Sequence, residues 1–93
     1  MTSYDVLLSK YAAKQLKQLE KMLQTRIKLS LHKLGENPFV RRSGCDVKEL
    51  HRNREPRYHR LRVGDYRIIF TVADKKVKIT EILHRKNAYE FLD

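Results

Sequence analysis

Tyr58-His-Arg-Leu-Arg-Val-Gly-Asp-Tyr-Arg-Ile-Ile-Phe-Thr-Val-Ala73 is the stretch whose reading decides the fold. Residues 58–63 alternate, with Leu61 and Val63 on one face of a strand and Tyr58, Arg60 and Arg62 on the other. Gly64-Asp65 makes a tight turn into residues 66–73, the strongest strand signal in the chain. Downstream, Asp74-Lys75-Lys76 turns into a further strand over 77–83. Upstream, residues 46–51 alternate in the same way and reach residue 58 through the polar turn 52–56. Consecutive hairpins of this kind predict an antiparallel meander.

The first half of the chain reads as helix. Residues 4–8 predict a short opening strand, and Ser9 is placed to cap a helix starting at the next residue. Apolar residues then recur at Leu16, Leu19, Leu23, Ile27, Leu31 and Leu34, steps of three or four that mark one helical face. Gly35 and Pro38 end the run. A single helix over 9–35 would be about 40 Å long, more than a domain of this size accommodates, so a break is expected near Glu20–Gln24. No Gly or Pro stands there, and periodicity alone does not decide between one helix and a helical hairpin. The expected fold class is α+β in two layers: an N-terminal strand and helices packed on one face of an antiparallel sheet, with the arginine-bearing face open.

Ninety-three residues make one domain over 1–93. A composition 41% hydrophobic and 34% charged, with three Gly and two Pro, excludes disorder and low complexity. No uninterrupted apolar run is longer than that of Ile68-Ile69-Phe70, far too short for a membrane span, and no secretory signal is expected. The single cysteine, Cys45, cannot form an internal disulfide and fits a reducing compartment, so a cytoplasmic location is expected. Four scattered histidines and one cysteine show no zinc spacing, and neither metal nor cofactor is expected.

Charge carries the first functional signal. The net charge of +10 points to polyanionic partners. Eight of the ten arginines fall between residues 41 and 67, whereas ten of the eleven lysines fall outside that stretch. Arginine presents a planar, permanently charged fork suited to phosphate, while lysine is the commoner choice for solubility. Arg60, Arg62 and Arg67, on adjacent strands across one turn, would converge, and such like-charge crowding costs free energy unless an anion neutralises it. Lys48, Arg52, Arg54 and Arg57 are further candidates for phosphate contact. Arg85 follows the last strand, and Tyr89 is placed either to stack on a base or to pack beside Phe91 and Leu92.

The order strand, helices, meander, with Arg60-Leu-Arg-Val-Gly-Asp-Tyr-Arg67 and the closing His84-Arg85-Lys86-x-x-Tyr89, resembles the RelE branch of the RelE/ParE toxin superfamily across essentially the whole chain. The resemblance implies the helical hairpin. It also implies a type II toxin: an endoribonuclease that cuts mRNA in the ribosomal A site without metal, inhibits translation, and is silenced by a cognate antitoxin. Arg60 and Arg62 match two basic catalytic positions that are lysines in the best-known member. Arg67 matches the transition-state arginine, Arg85 the arginine near the C-terminus, and Tyr89 the tyrosine that stacks on the substrate base. The implied chemistry is attack by a ribose 2′-OH on the adjacent phosphate. It needs a base, and arginine does not supply one. His84, Lys48 and Glu81 remain as alternatives. The rival readings are a ParE-like poison of DNA gyrase, or an RNA-binding relative of weak or no activity.

Overall fold

The computed structural model describes residues 3–50 and 55–87. The elements run β1 (Asp5–Leu8), α1 (Lys10–Lys17), α2 (Lys21–Glu36), β2 (Asp46–Glu49), β3 (His59–Val63), β4 (Tyr66–Ala73) and β5 (Lys76–His84). The strands form one five-stranded sheet in the order β1-β5-β4-β3-β2. β2 to β5 are the expected antiparallel meander, whereas β1 joins its far edge parallel to β5. The sheet is therefore mixed: the N-terminal strand, whose partner the sequence did not name, extends the antiparallel meander by a parallel pairing at β5. The two helices carry the chain from the β1 edge across one face to the β2 edge, which leaves β1 and the returning β5 running the same way.

The core lies between that face and the helices. Ala12 and Leu16 of α1 and Ile27, Leu31 and Leu34 of α2 pack on Val47, Leu61, Val63, Ile68, Phe70, Val77, Ile79 and Ile82. Ser9 caps α1, its Oγ accepting the Ala12 N–H at 3.0 Å. The helical run breaks at residues 18–20, meeting the expected segment at Glu20. With no Gly or Pro available, the Gln24 side chain bridges the break by donating to the carbonyls of Leu19 (2.7 Å) and Lys17 (3.3 Å).

Gly35 lies inside α2, not beyond its end, and its role is close approach. The Tyr4 N–H donates to the Gly35 carbonyl at 2.7 Å, and a Cβ at residue 35 would stand 3.2 Å from both the Tyr4 carbonyl and Val6 Cγ2. The β4–β5 turn uses Asp74 and Lys75 at φ 53° and 63°, the left-handed pair of a tight hairpin.

Candidate cationic site on the open face of the sheet

Cross-strand register places the side chains opposite the helices in two rows. One row reads Asp46, Arg62, Arg67, Leu83; the other reads Lys48, Arg60, Ile69, Glu81. Residues directly opposite one another share a face, so Arg60, Arg62 and Arg67 stand together with Lys48 and Glu81. Ile69, fully buried, is an apolar floor in their midst.

The cations are held differently. The Arg60 side chain is only 16% exposed, and its Nη1 donates to the Asp46 carbonyl at 3.2 Å and to Asp46 Oδ1 at 3.5 Å. The same carboxylate takes Arg41 Nε at 3.1 Å. Arg67 Nη1 reaches the carbonyls of Gly64 and Tyr66, each at 3.3 Å, so its guanidinium leans towards the β3–β4 turn. Gly64 makes that turn at φ 58°, a conformation L side chains rarely adopt. Arg85 arrives at the same turn from β5: its N–H donates to the Asp65 carbonyl at 2.7 Å, and its Nε lies 4.0 Å from Asp65 Oδ1. Arg62 is exposed between Asp46 and Arg67. Thus β3, β4 and the end of β5 bring Arg60, Arg62, Arg67 and Arg85 to one end of an open surface. Guanidinium groups so grouped have the chemistry to bind a phosphodiester and to stabilise charge developing on it.

Two residues expected at this face lie elsewhere. His84 is opposite Tyr66, which is itself opposite Val63 of the core, so His84 faces the helix side and meets the Tyr66 ring edge-on at 5.2 Å. Arg57 is engaged by Glu49 at 2.8 Å and Glu55 at 3.4 Å, and these carboxylates push its pKa further up. Glu49 pairs with His59 on the core-facing side of the sheet, which takes Arg57 away from the arginine cluster. Arg52, Arg54 and Tyr89 lie outside the described residues. Sequence reasoning also missed two arginines. Arg41 shares Asp46, and Arg26 of α2 comes so close to the turn that a Cβ on Gly64 would be 3.1 Å from its Nη1. A charge on a helix carries no local signal of which distant turn it will meet.

An α+β scaffold with helices on one sheet face and a cluster of arginines on the other is the arrangement of the RelE/ParE toxin class. A profile described as the ParE toxin of the type II toxin–antitoxin system parDE matches residues 6–89, and the chain belongs to this family. Toxin RelE3 of Methanocaldococcus jannaschii is 30% identical over 86 residues, spanning 92% of this chain and 96% of that one. The crystal structure of the archaeal RelE–RelB complex from Pyrococcus horikoshii contains a chain 33% identical, with a TM-score of 0.78 over 95% of this chain and all of its own. The isolated E. coli RelE toxin, 17% identical, shares the fold at a TM-score of 0.69 over 96% of this chain and 94% of its own.

Proposed function

We propose that this toxin is a ribosome-dependent mRNA endoribonuclease acting in the cytoplasm, cutting in the A site and thereby inhibiting translation. The observation that carries the reading is the meeting of Arg67 and Arg85 at the Gly64-Asp65 turn, beside Arg60 and Arg62 on one open face. In this reading the 2′-OH attacks the adjacent phosphorus, giving a 2′,3′-cyclic phosphate and a free 5′-OH. The arginines neutralise the charge that accumulates on the phosphorane oxygens. The remaining basic residues draw in the ribosomal RNA–mRNA substrate, a long-range attraction that weakens with salt. The protein partner is a cognate antitoxin. RelB accompanies RelE in the relatives' complexes, and an acidic or amphipathic antitoxin segment would complement a chain of net charge +10.

The test is primer-extension mapping of mRNA on programmed ribosomes, with free RNA as control. Arg67→Ala and Arg85→Ala should each lower the cleavage rate by about 10²–10³, the usual cost of removing one preorganised transition-state donor. Intact mRNA with folded wild-type protein refutes the reading. Relaxed or cleaved DNA in a gyrase supercoiling assay would then assign the chain to the gyrase poisons.

A further inference from the structure

An all-arginine strand pair supplies cations but no proton acceptor, and a feature of β5 answers that need. Val77 and Ile79 enter the core with the two-residue period of a strand. Continued against β4 in the register Phe70↔Ile79, that pairing would set Glu81 opposite Ile68, in the core, and turn Ile82 outward. Instead a β-bulge lies between Ile69 and Phe70, with Thr80 as the extra residue, and pairing resumes at Ile69↔Glu81 and Ile68↔Ile82. Ile82 is thereby returned to the core at 4% exposure, and Glu81 comes to the face that holds Arg60 and Arg67. Bulges act in this way, re-aiming one side chain while keeping the rest of the strand in phase.

The bulge is pinned on both sides of Glu81. β1 ends at Leu8, opposite Ile79, and α1 takes over the edge of β5 beyond it. Ser9 Oγ donates to the Thr80 carbonyl at 3.1 Å, and Gln15 Oε1 accepts the Ile82 N–H at 2.8 Å. On the other edge, Thr80 Oγ1 donates to the Ile69 carbonyl at 3.2 Å. Glu81 is half-buried and its carboxylate makes no hydrogen bond or ion pair among the described residues, in contrast to Asp46, which Arg41 and Arg60 occupy. Strand spacing puts the Cα atoms of Arg60 and Glu81 about 10 Å apart, with Ile69 between them.

We infer that Glu81 is the general base of the ribonuclease reaction, an inference that rests on the function proposed above. Its carboxylate takes the 2′-OH proton as the 2′-oxygen forms its bond to phosphorus. The P–O5′ bond breaks, the 5′-oxygen leaves with the electron pair and takes a proton from water, and Glu81 returns its own proton to solvent. Lys48 shares the row, but an ammonium has no lone pair to offer until it loses a proton. His84 is on the other face of the sheet.

The experiment is single-turnover cleavage on programmed ribosomes by wild type, Glu81→Gln and Glu81→Asp, with ribosome binding and thermal melting measured on the same samples. Glu81→Gln should cut the rate by about 10²–10⁴, the range for a lost general base, with binding and melting unchanged. Glu81→Asp, which keeps a carboxylate, should recover part of that loss. A Glu81→Gln rate within about tenfold of wild type overturns the inference and leaves the nuclease reading standing. Loss of cleavage together with loss of ribosome binding overturns it as well, because Glu81 would then be a binding residue. If wild type does not cleave, the proposed function fails and the inference falls with it.

Discussion

Replacing Arg62 by Gln should make the protein more stable and less active at once. Arg62 and Arg67 are directly opposed in the β3–β4 register, and Arg62 is exposed. Two unit charges about 5 Å apart in water repel by roughly 0.8 kcal/mol, and 0.1 M salt reduces that to about 0.5 kcal/mol. Asp46 lies opposite Arg62 on the other side, but Arg41 and Arg60 already share its single charge. A domain of this length shifts its melting temperature by about 4–8 °C per kcal/mol, so Arg62→Gln should melt about 3–6 °C higher at low ionic strength and about 2–4 °C higher in 0.1 M salt. The gain should fade in high salt, where the repulsion is screened in wild type too. Cleavage by the same variant should drop by about 10²–10³, because in the proposed mechanism the charge that strains the free protein is the one that meets the phosphorane. Scanning calorimetry at two salt concentrations, paired with the cleavage assay, checks both halves. A variant that melts lower than wild type at low salt refutes the reasoning, since Arg62 would then be held by attraction.

Gln15→Ala should leave the Ile82 N–H without its acceptor and cost about 1–3 kcal/mol, read as a lowered urea midpoint with unchanged m-value. His59 is stacked on Phe70 at 5.2 Å, and burial pushes its pKa below the ordinary 6.5, partly opposed by Glu49 and reinforced by Arg57. The unfolded chain therefore binds the proton more readily than the folded one. Stability should fall as pH drops from about 7 through the unfolded value near 6.5, and His59→Phe should flatten that slope in pH-dependent melts. Cys45 is fully buried, and burial raises its thiol pKa, so it should resist alkylation by iodoacetamide in the native state and react fully in urea.

The meander was legible because alternation and turn chemistry are local: Leu61 and Val63 inward, Arg60 and Arg62 outward, and Gly64-Asp65 between the strands. Three features were not legible, and each depends on contacts distant in sequence. Helix length alone called for a break, but its exact place was hidden: it has no breaker residue and is bridged by Gln24, which looks like any polar helical residue. Gly35 reads as a helix terminator but serves the approach of β1. The parallel seat of β1 beside β5 follows from where the helices deliver the chain, which no local pattern records. Of the candidate site, the arginines were placed by strand period alone. The facing of Glu81 and His84 depends on one extra residue in β5. The spacing Val77, Ile79, Ile82 carries that signal, since buried positions two and then three apart cannot belong to an uninterrupted strand.

Two carboxylates lie on the cationic face among the described residues, and their surroundings assign them different work. Asp46 is occupied: its Oδ1 and carbonyl fix the Arg60 guanidinium, whose side chain is otherwise largely buried. Glu81 is not occupied and has its backbone locked by α1. In the proposed mechanism Asp46 acts through Arg60, by holding a cation in place, whereas Glu81 acts on the substrate itself. The distinction has a direct test in a double-mutant cycle. If Asp46 only positions Arg60, Asp46→Asn should slow cleavage in the wild-type background and have no further effect once Arg60 is Ala, a coupling of about 0.5–3 kcal/mol. Independent effects of the two substitutions would mean that Asp46 meets the substrate directly. The division between an orienting and a proton-accepting carboxylate would then fail, because both carboxylates would be candidates for the base.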